Sequence, residues 1–457
     1  MTLAPLSTSI VPGPSRSSSL STTIAFQRDP FAYLAKAFER YGNVVRVPVL
    51  GMPMVVINHP DDVKKVLQDN HVDFDKDAKI FELVSPLLGD GLISVVGGAS
   101  WMSRRRLLQP AFHRKRIEDM TQVMSAHTED MLQRWSGFAS GGTDIDVGRE
   151  MSNLTLRIVA RTLFAIDIGA DGQTHPYAQA LDVFMKELSA YLKFPLVPLR
   201  VPTPSHRRFW KNLRIMDGFV YDMIGRYRAG TAEDQGDLLY MLINAQDADT
   251  GEKMNDRQLR DEISSFLFAG HETSANALTW TIQMLTEHPD VESRLRAEID
   301  SVLGDREPTM ADLPKLTYLA AVVNENMRIN PPIWQVMRNA RVDNELGGYR
   351  IPAGSNVFWS PYLVHRNPDF WPEPEKFDPD RFAPDIARSI HKGAYIPFSA
   401  GPRICIGNTF ALTEIQLILT RILQRFHFES RTELPLRKVP EATVRPSKPI
   451  RIALQPR

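Results

Sequence analysis

The spacing of apolar residues divides the chain into three parts. In the first third, residues 43–50 and 54–58 are predicted to form short β-strands. From about Arg114 to Ile329 the apolar residues recur at helical spacing, which predicts a largely helical middle. Eleven prolines between Pro331 and Pro402 are too many for long helices. That stretch predicts turns, a meander and a small hairpin at about 349–360.

Two helices are specified most clearly by their ends. The first is predicted over 256–288, where Asn255 and Gln258 can form a capping box and Pro289 stops the helix. The second is predicted from about Asn408, with a buried stripe made of Ala411, Ile415, Ile418, Ile422 and Phe426. A mainly α fold with a small β-rich part is therefore expected.

The charge and composition of the chain are typical of a globular protein. The 54 basic and 54 acidic residues cancel, and 43% of the residues are apolar, which argues against a general nucleic-acid binder. No Gly/Ser linker, charge block or internal repeat marks a boundary in mid-chain. One domain over 28–457 is expected, preceded by a disordered tail at 1–27.

The N-terminal segment gives evidence on where in the cell the protein is located. Residues 1–24 hold three prolines and seven serines, but no apolar run near the roughly 18 residues that a membrane helix needs. No transmembrane anchor is expected. A Ser-rich start without acidic residues before Asp29 leaves a mitochondrial transit peptide as the alternative, although prolines interrupt it. A lone reduced thiol suits the cytoplasm, which is the expected location.

Cys405 is the only cysteine in the chain, and it lies in the glycine-rich stretch FSAGPRICIG, residues 398–407. Without a partner thiol, an intramolecular disulfide, a Cys-x-x-Cys pair, a cysteine-rich zinc site and a four-thiolate iron–sulfur cluster are excluded. The glycines allow close approach of the backbone to a flat group, and the amides of the following helix favour a sulfur anion. The alternative is a buried cysteine in a glycine-rich loop.

The pattern Phe-x-x-Gly-x-Arg-x-Cys-x-Gly resembles the haem-ligand loop of the cytochrome P450 family. A second motif, Ala269-Gly270-His271-Glu272-Thr273, lies in the long helix and places two small residues and a hydroxyl on one face. Gly270 and the Thr273 hydroxyl predict that the helix opens there. The alternative is a glycine at a helix–helix contact.

Two further motifs carry the same resemblance. Glu325-x-x-Arg328, together with Arg381 in a proline-rich loop, resembles the family's three-way ion network. Trp101-x-x-x-Arg105 resembles the pair that reaches a haem propionate. The resemblance runs from about Asp29 to near the C-terminus and implies the triangular, mainly α haem-thiolate fold of a bacterial-type member.

The resemblance implies haem b with Cys405 as axial thiolate, in a monooxygenase that inserts one atom of O2 into a hydrophobic substrate by hydroxylation or epoxidation. Glu272 and Thr273 would steer protons, with Gly270 beside them. The implied haem contacts are Cys405, Trp101, Arg105, Ala269, Thr273, Arg338, Phe398, Gly401, Arg403, Ile406 and Gly407. His365 is interpreted as a structural histidine and not as a ligand.

Electrons would come from another protein, because only residues 406–457 follow Cys405 and no nucleotide-binding glycine motif is present. An NAD(P)H reductase with a ferredoxin or flavodoxin is implied. The basic cluster suited to it comprises Arg104, Arg105, Arg106, His113, Arg114, Lys115 and Arg116, although a solvated helix face would look the same.

The predicted substrate pocket is apolar and favours a fatty acid, terpenoid, steroid or macrolide. Its predicted residues are Phe81, Leu83, Val84, Leu87, Leu88, Leu92, Phe266, Ala269, Ile333, Trp334 and Val336. Two rival functions remain open: a haem-thiolate peroxygenase or isomerase of the same fold, which usually departs from the Glu272–Thr273 pair, and a non-catalytic haem or lipid carrier.

Overall fold

Helices dominate the described part of the chain, as the sequence predicts. The computed structural model describes residues 9–49, 52–77, 79–168, 175–193, 197–230, 237–246, 251 and 253–457. Within these residues, none of the helices combines the length and apolarity needed to cross a membrane. The helices are α1 Ser19–Arg28, α2 Pro30–Tyr41, α3 Pro60–Lys64, α4 Lys79–Leu88, α5 Gly98–Leu108, α6 Arg114–Ser140, α7 Val147–Phe164, α8 Pro176–Lys193, α9 Pro204–Arg228, α10 Leu238–Asn244, α11 Asp256–Glu287, α12 Pro289–Leu303, α13 Thr317–Ile329, α14 Pro361–Val364 and α15 Asn408–Arg425.

The strands are short and fall mostly near the two ends of the chain. They are β1 Val44–Val49, β2 Met52–Ile57, β3 Phe74–Asp75, β4 Ile145–Asp146, β5 Val336–Ala340, β6 Asn344–Leu346, β7 Tyr349–Ile351, β8 Asn356–Trp359, β9 Phe426–Ser430, β10 Lys438–Pro440, β11 Val444–Pro446 and β12 Arg451–Pro456. The two strands predicted in the first third are confirmed as β1 and β2, and the mainly helical middle is confirmed.

The long helix α11 begins where its capping signal predicts. The Asn255 side chain accepts from the Gln258 amide at 3.0 Å, and the Gln258 side chain accepts from the Asn255 amide at 2.9 Å. Pro289 then starts α12, because its fixed φ suits a first helical position. Helix α15 begins at Asn408 as predicted. Of its predicted stripe, Ile415, Ile418 and Ile422 are buried and Ala411 is half-buried, whereas the buried Phe426 lies beyond the helix and begins β9.

The contacts group the chain into two compact units, each assembled from separate stretches. The sheet unit comprises Met1–Glu82, Met327–Phe377 and Pro384–Cys405, and the helical unit comprises Leu83–Asn326, Asp378–Ala383 and Ile406–Arg457. The predicted single haem domain over 28–457 stays a prediction.

The sheet unit is built on five strands in the order β1-β2-β8-β5-β3. Strands β2 and β8 pair in parallel, with Val55 opposite Val357, and the other pairs are antiparallel. The buried residues Ile57, Val357 and Trp359 belong to the core beside this sheet. The sheet therefore combines strands from the beginning and the later part of the sequence.

The predicted hairpin at 349–360 is wrong in its pairing. Strand β7 pairs back with β6, Tyr349 lying opposite Leu346, whereas β8 joins β2 and β5 in the larger sheet. Trp359 and Val357 are fully buried there. Strand β8 lies between two partner strands, and the burial of its apolar side chains outweighs the local turn signal.

The predicted disordered tail is corrected for the described residues 9–27. Helix α1 starts at Ser19, and Val11 and Phe26 are buried. The Arg46 amide donates to the Pro12 carbonyl at 2.7 Å, and a Cβ on Gly13 would lie 2.1 Å from the Arg46 carbonyl oxygen. The sparse apolar residues of this segment are enough to hold it against β1. Residues 1–8 lie outside the described part of the chain.

The helical unit packs α11 closely against α7. Gly270 lies at this contact, because a Cβ there would lie 2.9 Å from Cγ2 of Val159. Helix α11 is buried over most of its length, so its neighbours determine its position. The Gly270 backbone therefore allows the two helices to approach.

Glu414 is a buried acid in the contact region of α15 and α11. It is fully buried, and neither carboxylate oxygen has a hydrogen-bond partner among the described residues. Burial raises the pKa of Glu414 to about 8; the Ser274 hydroxyl lowers it in part without reaching hydrogen-bond geometry. The side chain is therefore expected to be mostly neutral at pH 7.

Glu414→Gln should change how stability depends on pH. Since the folded state holds the proton more tightly than the unfolded chain, the stability that Glu414 contributes is present below about pH 4.5 and is lost as the pH rises through about 8. The free energy of unfolding of the variant should therefore gain on the wild type between pH 5 and 8, by at most about 1.4 kcal/mol per pH unit. Denaturant titrations at several pH values measure this difference. Exposed Glu118→Gln on α6 is the control, and identical pH profiles for wild type and Glu414→Gln would contradict the assignment.

Candidate active site

Backbone hydrogen bonds close the loop that carries Cys405. The Cys405 amide donates to the Phe398 carbonyl at 2.9 Å, and the Ile404 amide donates to the Gly401 carbonyl at 3.0 Å. Ser399 and Gly401 adopt left-handed conformations, with φ of 63° and 69°. The side chain of Cys405 is exposed. The loop thus presents the thiol immediately before α15.

Gly401 is required by a contact with the protein's own backbone. A Cβ at this position would lie 1.9 Å from the carbonyl oxygen of Leu67, in the π-helical turn Lys65–Asp69. The sequence analysis assigned this glycine to close approach of a cofactor, but its close neighbour here is Leu67. Gly407, by contrast, would place a Cβ 3.8 Å from the Phe112 ring, which is an ordinary contact. Ile406 is half-buried beside it.

Three cationic side chains in the sheet unit, Lys76, Arg338 and Arg403, have lowered pKa values. Burial, then the charge of Arg403, lowers the pKa of Arg338 to about 9, while Asp75 raises it in part. Burial lowers the pKa of Arg403 to about 10, and burial with both arginines lowers that of Lys76 well below its usual value. An anionic ligand would relieve this cost.

Sequence reasoning selected Arg338 and Arg403 but missed Lys76. Asp75 and Asp77 flank Lys76, so the segment reads as a solvated charged stretch. Strand pairing places Asp75 opposite Asn339, next to Arg338. Only this long-range pairing reveals that Lys76 belongs with the two arginines.

One face of α11 differs from the rest of the helix. From Leu259 to Leu285 every residue is buried except Phe268, Ala269, Gly270 and Thr273. Ala269 and Thr273 are one turn apart, and the Thr273 hydroxyl donates to the Ala269 carbonyl at 2.6 Å. The predicted face of small residues and one hydroxyl is therefore partly accessible.

The prediction that α11 opens at this face is wrong. The helix is continuous from Asp256 to Glu287, because the Thr273 hydroxyl adds a bond to the Ala269 carbonyl without displacing the helix. A Cβ on Gly270 would meet Val159 of α7, which fits the alternative of a glycine at a helix–helix contact. Its predicted place beside Glu272 and Thr273 stays a prediction.

Glu272 is held by the C-terminal hairpin β10–β11. Its Oε1 accepts from Nε of Arg445 at 2.8 Å and from the Thr443 hydroxyl at 2.8 Å, and its Oε2 accepts from Nη2 of Arg445 at 2.7 Å. Although burial lowers the pKa of Arg445, the charges of Glu272 and Asp182 raise it above its ordinary value. Sequence reasoning missed Arg445 and Thr443, because no local signal joins a hairpin at the end of the chain to α11.

Trp101 and Arg105 lie one turn apart on α5, as predicted. Trp101 is buried and Arg105 half-buried. Arg104 is different, because its Nη1 donates to Oε1 of the fully buried Glu262 at 2.8 Å. Arg104 is therefore paired with Glu262 and does not belong to the predicted docking cluster.

The predicted ion network is present in part within the helical unit. Fully buried Glu325 accepts from the Asp378 amide at 2.8 Å and faces Nε of Arg381 at 3.5 Å. In the sheet unit, Arg328 donates to the carbonyls of His365, Pro374 and Lys376. These residues fix the course of the proline-rich segment.

His365 has the structural role that was predicted. It is fully buried, and its Nε2 accepts from the Ile396 amide at 2.9 Å. Burial, followed by the charges of Arg328 and Arg366, lowers its pKa to about 3. The imidazole is therefore neutral and ties two segments of the sheet unit together.

The predicted pocket residues fall into two sets. In the helical unit, Leu87, Leu88, Leu92 and Phe266 are buried and Val84 and Ala269 are half-buried. The segment after α4 is held to α11, since the Leu92 amide donates to Oε2 of Glu262 at 3.0 Å. In the sheet unit, Trp334 is buried against Phe31 and Phe358, and Phe81, Ile333 and Val336 are half-buried. The side chain of Leu83 lies outside the described residues.

These residues fit a flat, dianionic group that carries a metal. An exposed thiol can supply one metal ligand, and half-buried Phe398 stands in the same loop. Lys76, Arg338 and Arg403 supply positive charge for two carboxylates such as the propionates of haem b.

Comparison with known proteins agrees with this chemistry. The family model for cytochrome P450 matches residues 12–454. Cyclooctatin synthase of Streptomyces melanosporofaciens is 35% identical over 434 residues, which cover 94% of this chain and 92% of that protein. Cyclooctat-9-en-7-ol 5-monooxygenase of the same organism is 36% identical over 428 residues, covering 93% and 89%. Pentalenene oxygenase of Streptomyces avermitilis is 32% identical over 430 residues, covering 94% of each chain. With the match extending over nearly its whole length, the chain belongs to the cytochrome P450 family.

Proposed function

We propose that this protein oxidises a terpenoid-like substrate, using haem b held by Cys405 and electrons from a separate redox protein. Members of its family are haem-thiolate monooxygenases, which insert one atom of O2 into a hydrophobic organic substrate. They bind haem b through a cysteine thiolate, and this chain has one cysteine. The observation that carries the proposal is the exposed thiol of Cys405 in a loop closed by its own backbone.

The haem supplies the oxygen chemistry when it is bound, and the thiolate ligand favours O–O cleavage. The protein's residues hold and orient it. We assign Lys76, Arg338 and Arg403 to its carboxylates, with Trp101 and Arg105 on α5 as further candidates. The amides of Ile406 and Gly407 follow the sulfur directly and are assigned to hydrogen-bond it. Ala269 and Phe398 are assigned to contact the ring.

Glu272 and Thr273 are assigned to proton delivery. Thr273 lies on the accessible face of α11, and its hydroxyl can both donate and accept. A carboxylate next to it in sequence can take protons from solvent and pass them on. Glu325, Arg328 and Arg381 are assigned a structural role, since they are engaged with the backbone or with each other.

The substrate is proposed to be a cyclic terpenoid alkene or alcohol. Relatives named for cyclooctat-9-en-7-ol and pentalenene support this class, as does the apolar character of Leu87, Leu88, Leu92 and Phe266. A ligand panel that also holds fatty acids, steroids and macrolides would test it through the haem spin-state change. A response confined to those other classes would contradict the proposal.

The protein is also proposed to work in the cytoplasm, because its single thiol suits a reducing compartment. Cell fractionation tests this, and recovery from an oxidising compartment or from mitochondria would contradict it.

Cys405→His should abolish the strongly red-shifted Soret band of the ferrous–CO complex and nearly all product formation, because imidazole donates less charge to the iron. Absorption spectra and product analysis measure both effects. Ile404→Val, in the same loop and 37% exposed, is the control that should keep both. A Cys405→His protein that retained the band and the activity would overturn the ligand assignment.

Thr273→Ala should leave oxygen consumption largely intact but release more hydrogen peroxide and less product per NAD(P)H. The substitution removes the hydroxyl while keeping good helix propensity. Peroxide and product are counted per reducing equivalent, with Thr279→Ala, a buried threonine further along α11, as the control. Unchanged coupling in Thr273→Ala would show that another group delivers the protons.

The proposed electron donor is an acidic ferredoxin or flavodoxin. Arg106, His113, Arg114, Lys115 and Arg116 are exposed, and four of them line a surface depression of about 740 Å³ with Gln109, Pro110 and Asp119. Lys115→Glu should raise the KM for the donor at low salt, an effect that fades at high salt, while Lys211→Glu on α9 should not. Equal effects of the two variants would place the docking site elsewhere.

A further inference from the structure

Glu272 is fully engaged by partners that lie outside α11 or a turn away. Beyond the two bonds from Arg445 and the one from Thr443, it accepts from Nδ2 of Asn276 at 3.4 Å. Asn276 also donates to the Thr443 hydroxyl at 2.8 Å. Meanwhile the Thr273 hydroxyl donates to its own helix at Ala269. In this arrangement neither Glu272 nor Thr273 is positioned for the other.

Arg445 is shared between two carboxylates of different exposure. Its Nη1 and Nη2 lie 3.3 and 3.4 Å from Oδ1 of Asp182 on α8. The Glu272 side chain is 7% exposed, that of Arg445 is 22% exposed and that of Asp182 is 47% exposed. The three groups therefore form a charged line from solvent to the buried acid.

A shift of Arg445 toward Asp182 would release Glu272 without stranding the guanidinium. Arg445 would keep one carboxylate partner throughout, which avoids the large cost of an unpaired buried charge. The Thr443 hydroxyl could remain on Oε1 during the exchange. Glu272 could then accept a proton from solvent, donate it to water at the Thr273 hydroxyl, and return to the carboxylate form.

We propose that Arg445 is a positioning residue that controls proton delivery by exchanging between Glu272 and Asp182. The inference rests on the proposed relay role of Glu272 and names the residue that regulates it. Among the described residues, the other charged or titratable groups facing this pair are His271 on α11 and Glu441 in the β10–β11 turn.

Three variants of the haem-loaded enzyme test separately how Arg445 holds Glu272 and how it releases Glu272. Arg445→Gln should lose coupling, with product per electron reduced about tenfold, and Arg445→Lys should restore part of it because the charge remains. Asp182→Asn should keep coupling but slow turnover and raise the solvent isotope effect, since Arg445 loses its alternative partner. Exposed Arg437→Gln, in the loop before the hairpin, is the control and should change neither.

A second measurement does not depend on activity. In Arg445→Gln the buried Glu272 lacks its cation, so its proton is held more tightly in the folded state. The free energy of unfolding should then fall more steeply between pH 5 and 8 than in wild type. In the double variant Arg445→Gln/Glu272→Gln this added pH dependence should be absent.

Glu272→Gln distinguishes a failure of the proposed proton relay from a failure of the proposed role of Arg445. If Glu272→Gln alone leaves coupling and the solvent isotope effect unchanged, the proposed relay itself is wrong. If it changes them but Arg445→Gln and Asp182→Asn do not, the relay stands and the role of Arg445 is overturned. We expect that Arg445→Gln, added to Glu272→Gln, has no further effect on coupling.

Discussion

A charge that is buried in a protein must be met by an opposite charge or by hydrogen bonds, and this requirement governs the chemistry of this chain. Glu272 meets it with Arg445 and Thr443, and Glu325 meets it with Arg381 and a backbone amide. Glu414 meets it by holding its proton. Each solution places an ionisable group where an apolar side chain would pack more easily, which supports a functional or structural reason for its position.

The cationic group of the sheet unit answers the same requirement differently. Burial lowers the pKa values of Lys76, Arg338 and Arg403, the charge of Arg403 adds to this at Arg338 and both arginines add to it at Lys76, and Asp75 offsets it in part at the arginines. Such a cluster is costly in the protein alone and becomes favourable with a dianionic ligand. The positive charge of this cluster therefore fits the two carboxylates of haem b, and the single thiol fits its metal.

The sequence predicted those elements whose signals are local. The capping box of α11, the start of α15 and the strands β1 and β2 depend on residues within a few positions of one another. The pairing of β8 with β2 and β5 and the order of residues 9–27 were missed, because both depend on apolar contacts with a sheet assembled from distant segments. The contact of Gly270 with Val159 was not predicted for a similar reason, since Val159 lies on another helix. Lys76 and Arg445 complete their clusters only through long-range pairing, which no motif encodes.

As a member of its family, this chain is expected to insert one atom of O2 into a hydrophobic substrate. Turnover under ¹⁸O₂ in ordinary water, with NAD(P)H and a redox partner, tests it by mass spectrometry of the product. We expect one ¹⁸O atom in each newly oxidised product molecule. Product that takes its oxygen from water, or that forms without a supply of electrons and O2, would contradict it.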